Sequence, residues 1–118
     1  MKKNTLIQKI ATQKYVYGPF CKIQDPTIVE LAALSGFDFI IIDMEHGPHD
    51  VASIQNMIRA AESRGIEAVV RVQNNETLIL KLLDIGVKCI QVPQISTVKD
   101  AQKLVAFTKF YPQGNRGM

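Results

Sequence analysis

Long apolar runs are missing from these 118 residues: they stop at four, as at Phe39–Ile42. A membrane helix needs about twenty, so no span is expected. The opening Met1-Lys2-Lys3 leads into no apolar core of a leader, because Gln8, Lys9, Thr12 and Gln13 interrupt it, and no signal peptide is expected. Cysteine is scarce. Cys21 and Cys89 fit neither a CxxC nor a metal-ligand spacing. Both sit in apolar, strand-like stretches and read as buried free thiols, which suits a reducing cytoplasm. A basic stripe is also lacking. The net charge of +3 comes from lysines spread along the chain, so no nucleic-acid partner is expected. There is no phosphate-binding P-loop, no GxGxxG and no serine elbow.

What remains is ordinary globular composition, 47% hydrophobic and 21% charged, enough for one small domain with a modest core. Its pattern is a repeat of strands and helices. Leu6, Ile7 and Ile10 share one face of a short helix over 4–13. Tyr15–Cys21 reads as a first strand, broken near Gly18-Pro19. Asp25-Pro26 opens a helix through Ile28, Val29, Leu31, Ala32 and Leu34, with Asp25 as its cap. Ser35-Gly36 stops it. Phe37–Ile42 is the clearest strand, and its four successive apolar residues predict burial on both faces.

Asp50 caps the next helix, which carries Val51, Ile54, Met57, Ile58 and Ala61 on one face and ends at Gly65. Ala68–Val72 is a third strand. Asn74 or Asn75 caps a helix with Leu78, Ile79, Leu82 and Leu83, ended by Gly86. Lys88–Val92 is a fourth strand, closed by Pro93. Thr97-x-x-Asp100 opens a last helix through Ala101, Leu104, Val105 and Phe107.

Alternating βα units imply an α/β fold with a parallel sheet. Four parallel strands do not close a barrel, whereas eight do in about 250 residues. The residues after Phe110 read as a loop, and the sequence stops inside it. Residues 1–118 are therefore expected to be the amino-terminal half, about four βα units, of a TIM (β/α)8 barrel, truncated in the loop after the fourth unit.

In such folds chemistry gathers where strands end. After the second strand stands Asp43-Met44-Glu45-His46-Gly47-Pro48-His49-Asp50. Asp43 closes an apolar strand, where a carboxylate needs a partner. One reading makes His46 a general base with Asp43 as its orienter. The other has Asp43 and Glu45 capping local backbone and His46 as a solvated turn residue. His49, just before the helix cap, is expected at the surface. Arg71 interrupts the third strand. It either grips a carboxylate or keto oxygen in two-pronged fashion, or pairs with Glu45 or Asp43, and the two are compatible. Gln91 and Gln94 follow the fourth strand and are expected to satisfy backbone. Arg116 is a candidate anion ligand. Metal-ligating residues are scarce, and Asp43, Glu45 and His46 lie too close in sequence to build a metal site unaided.

Four blocks carry a resemblance: Gly36–Gly47 around Asp43-Met44-Glu45-His46, then Val69–Val72, then Leu82–Val87, then Tyr111–Gly117. In this order and spacing they resemble the HpcH/HpaI aldolase family, the class II, metal-dependent pyruvate aldolases. The resemblance spans nearly all of this sequence but only the first half of a family member. It implies a (β/α)8 barrel, assembled as a homo-oligomer, a hexamer in the family. It implies a carbon-carbon lyase that reversibly cleaves 4-hydroxy-2-oxo acids to pyruvate and an aldehyde, with a divalent metal (Mg2+, Mn2+ or Co2+) stabilising the enolate. By the same resemblance, His46 is the catalytic base working with Asp43, Arg71 holds the pyruvate oxygen, and Glu45 supports the substrate site. The family's metal ligands belong to its second half and have no counterpart among these residues, so this fragment alone is expected to be inactive. Two alternatives stand beside this: a non-catalytic half-barrel acting as an assembly module, and a lyase of citramalyl or malyl thioesters.

Overall fold

Short polar residues set most of the element boundaries. The computed structural model describes residues 5–117. Asn4, in the expected first helix, lies outside them. Helix α1 runs Thr5–Thr12, strand β1 Phe20–Cys21, α2 Thr27–Leu34 and β2 Phe39–Asp43. Then come α3 Val51–Arg64, β3 Glu67–Arg71, α4 Glu76–Asp84, β4 Cys89–Gln91 and α5 Val98–Thr108. Asp50 caps α3 by accepting from the Ser53 amide at 2.7 Å, while Ser53 Oγ accepts from the Asp50 amide at 3.0 Å. This is a reciprocal capping box. Asn75 caps α4, accepting from Leu78 N, and Thr97 caps α5, accepting from Asp100 N. Gly65 ends α3 in the left-handed conformation at φ 72°, where a side chain would be strained.

Two local expectations give way. The first strand is Phe20–Cys21 rather than Tyr15–Cys21. It pairs only through Phe20–Ile41 and Cys21–Ile42, and Tyr15 and Tyr17 are exposed. The residue at the start of α2 is Pro26, already helical, while Asp25 Oδ1 accepts from the Thr27 amide one position earlier in the turn. Proline's fixed φ draws the helical conformation back by one residue.

The described strands form one parallel sheet in the order β1-β2-β3-β4. Its core lies on one face. Ile40, Ile42, Ala68 and Val70 are buried there with Val29 of α2, Ile54 and Met57 of α3, and Ile79 and Leu82 of α4. Each large aliphatic side chain removed from water contributes about 1.5–3 kcal/mol. The alternate residues Phe39, Ile41 and Val69 are only half-buried. Burial of β2 on both faces is thus not observed, because helices pack fully on one side. Register puts Asp43, Arg71 and Gln91 in one row at the carboxyl ends of β2, β3 and β4. No described helix is long and apolar enough to cross a membrane.

Candidate active site

Asp43 is the last residue of β2 and is fully buried. Its register partner on β3 is Arg71. Arg71 Nε donates to Asp43 Oδ1 at 3.0 Å and Nη2 donates to Oδ2 at 2.7 Å. This is a two-pronged, charge-assisted contact. Asp43 Oδ1 also accepts from the amides of Glu45 and His46, each at 3.2 Å. Hydrogen bonding from Arg71 is the main cause that lowers the Asp43 carboxyl to a pKa of about 2, against an opposing effect of burial.

The other face of the guanidinium lies 4.8 Å from the centre of the Phe20 ring, within cation–π range. Glu45 Oε1 stands 3.9 Å from Arg71 Nε. A guanidinium has five N–H groups. Two are spent on Asp43, so three remain on a side chain that is still 23% exposed. The arginine is fixed along one edge and open along another.

The His46 ring does not meet Asp43. Its Nε2 lies 2.8 Å from Glu45 Oε1. Asp43 is saturated by Arg71 and two amides, so the neighbouring carboxylate takes the imidazole instead. Glu45 is mostly buried, whereas the His46 side chain is 62% exposed. With Nε2–H donated to Glu45, Nδ1 is the nitrogen free to accept a proton. The structure therefore joins Asp43, Glu45, His46 and Arg71 in one cluster, with the orienting carboxylate exchanged from Asp43 to Glu45. The backbone-capping reading holds for Asp43, whose Oδ1 accepts from two amides of the turn.

Gly47 makes this turn possible. A Cβ there would overlap the Asp43 carbonyl oxygen. Gln24 Nε2 donates to the Pro48 carbonyl and ties the turn to the segment after β1.

Other candidates lie elsewhere or differ. Arg116 is not a free anion ligand: Nη2 donates to Asp84 at 2.7 Å, and its guanidinium stacks 4.5 Å from the Phe110 ring centre. Gln91 stands beside Arg71 in register, while Gln94 adopts a left-handed backbone at φ 59°. His49 is buried rather than at the surface. Phe20 carried no signal in the sequence, because its role depends on which strand neighbours β2. As for a metal, no group of three His, Cys, Asp or Glu among the described residues could hold one. Asp43 is taken by Arg71 and Glu45 by His46, so these carboxylates do not fit that task together.

Comparison of the whole chain with known proteins gives its family. The HpcH/HpaI aldolase/citrate lyase family model matches residues 17–118. The chain belongs to that family. This HpcH/HpaI chain is 34% identical over 98% of its length to hydroxypyruvate/pyruvate aldolase of Roseobacter denitrificans, covering 45% of that protein. It is 36% identical over 92% of its length to 5-keto-4-deoxy-D-glucarate aldolase of Klebsiella pneumoniae, covering 43% of it. Among solved structures, citrate synthase SbnG superposes with a TM-score of 0.88 at 36% identity, over 94% of this chain and 46% of that one. The chain thus spans about half the length of the curated relatives it matches. The four βα units are those of a TIM barrel, matched over about half of the barrel.

Proposed function

We propose that this protein acts as a carbon-carbon lyase on 4-hydroxy-2-oxo acids, releasing pyruvate and an aldehyde reversibly. The observation that carries the reading is Arg71. It is locked by Asp43 along one edge, leaves three N–H donors free, and stands beside the Glu45–His46 pair. In the cleavage direction His46 Nδ1 takes the proton of the C4 hydroxyl. The freed electron pair forms the aldehyde C=O as the C3–C4 bond breaks. That bond's pair moves to C3–C2, and negative charge develops on the C2 oxygen. The open edge of Arg71 meets that oxygen and the neighbouring carboxylate. Such a preorganised donor is worth about 10²–10³ in rate. The proton that His46 took is then delivered to C3, which gives pyruvate and restores the base.

The family resemblance also implies a divalent ion (Mg2+, Mn2+ or Co2+). The described side chains do not fit as its ligand set, and no step above runs through it. A homo-oligomer in a reducing cytoplasm belongs to the same reading, and Cys21 and Cys89 are not joined in a disulfide. The test is pyruvate release by the full-length protein from a panel of 4-hydroxy-2-oxo acids, with each of the three ions added. Release that disappears in Arg71→Ala and His46→Ala is expected. No release from any substrate, or full release from both variants, overturns the reading.

The likeness to citrate synthase SbnG favours one second reading, in which the clamped enolate adds to a 2-oxo acid instead of leaving an aldehyde. The same panel run toward condensation, with product detected by mass, separates the two.

A further inference from the structure

His49 lies between Pro48 and the helix cap Asp50, and only 8% of it is exposed. Its Nδ1 stands 3.4 Å from Ser53 Oγ, which already bonds the Asp50 amide and carbonyl at 3.0 Å each. Its Nε2 is buried with no hydrogen-bond partner among the described residues. The Cys21 backbone lies beside the ring and favours its charged form. A Cβ on Gly47 would fall 3.2 Å from His49 Cδ2, so the ring packs against the turn that carries Glu45 and His46. The charged groups facing it are Asp43 at the end of β2 and Asp50 at the start of α3, with the Cys21 backbone beside it at the end of β1. Burial lowers its pKa, and the Cys21 backbone and the two carboxylates pull weakly the other way. A neutral ring is the form that suits this site.

We propose that His49 is a positioning residue: a neutral, buried imidazole that props the 43–47 turn between β1 and α3, and whose protonation loosens the Asp43–Arg71 clamp. The physical reason is competition. A charged His49 places a second cation near the carboxylate that holds Arg71, and it also puts an unpaired charge in a buried place. Its bearing on catalysis rests on the function proposed above; the arrangement itself does not.

The test reads the clamp directly and needs no turnover. Protection of the Arg71 Nε–H against solvent exchange is measured by NMR from about pH 8 to pH 4, a range that spans ordinary histidine titration. It is done in a His46→Gln background, so that His49 is the only histidine titrating. A fall in protection of about threefold or more, with a midpoint equal to that of the His49 ring itself, is expected. In His49→Phe, which keeps an aromatic ring without a charge, that step disappears; His49→Gln is expected to behave alike and serves if the Phe variant does not fold. Protection that ignores His49 titration, or a step that persists in the variants, overturns the proposal. Lack of lyase activity would count against the proposed function and leave this result intact.

Discussion

Asp43 and Arg71 face each other in register across β2 and β3 and share two hydrogen bonds, 3.0 and 2.7 Å long. The carboxylate is fully buried and the guanidinium is not. That asymmetry decides what each substitution does.

Removing the cation leaves a buried anion with two amides but no opposite charge. Arg71→Ala is expected to destabilise the protein by roughly 2–4 kcal/mol, since breaking a buried pair costs more than the pair contributes. Arg71→Lys keeps the charge but loses the two-pronged fit. It should recover part of the stability and little of any pyruvate binding. Urea unfolding and isothermal titration with pyruvate check both points. Equal stability of Arg71→Ala and the parent would contradict the burial argument.

Acid should act through the same carboxylate. The folded pKa of Asp43, about 2, lies below its unfolded value. Its contribution is therefore complete above the unfolded pKa and is lost as pH falls from about 4 through 2. With screening on the open Arg71 side this amounts to roughly 1–2 kcal/mol. The urea midpoint measured against pH should drop in that window, and Asp43→Asn should flatten the drop. A parent curve without it would dismiss Asp43 as an acid-sensitive tie.

Glu45 and Asp43 should differ in kind. Glu45 holds the His46 ring, while Asp43 holds Arg71. Glu45→Gln is expected to change the pH profile of pyruvate release, with a small effect on KM. Asp43→Asn should raise KM strongly by releasing Arg71. Matching profiles for the two variants would remove the division of labour.

Gly47→Ala tests the turn. The added methyl overlaps the Asp43 carbonyl oxygen, a backbone atom that yields only if the turn moves. A loss of roughly 1–3 kcal/mol in thermal or urea unfolding is expected, together with a displaced His46 ring signal in NMR. An unshifted signal would show that the turn has room to spare.

Local chemistry explains which features the sequence disclosed. The cap at Asp50 and the stop at Gly65 each depend on a few adjacent residues and were legible, while the α4 cap was narrowed to Asn74 or Asn75, of which Asn75 is the one used. The parallel βα pattern followed from periodicity. The partners of Asp43 and His46 were not legible, because the choice between two carboxylates depends on where β3 places Arg71. His49 looked polar and loop-borne, yet the turn folds it under itself, between β1 and α3. Phe20 gained its place over Arg71 only through the order of strands. The half-covered sheet face could not be read from the apolar run at Phe39–Ile42, since a run does not say how many helices will cover it.

The clamp and the turn both belong to one β2-α3-β3 unit. Asp43 and Arg71 are 28 residues apart in sequence, a short loop to close compared with contacts that span a whole barrel. Both partners of the anion grip therefore come from that one unit, and none from more distant strands. It is in that sense a self-contained cassette: strand, helix and strand supply both partners of the grip, and the flanking strand adds only the aromatic ring above it.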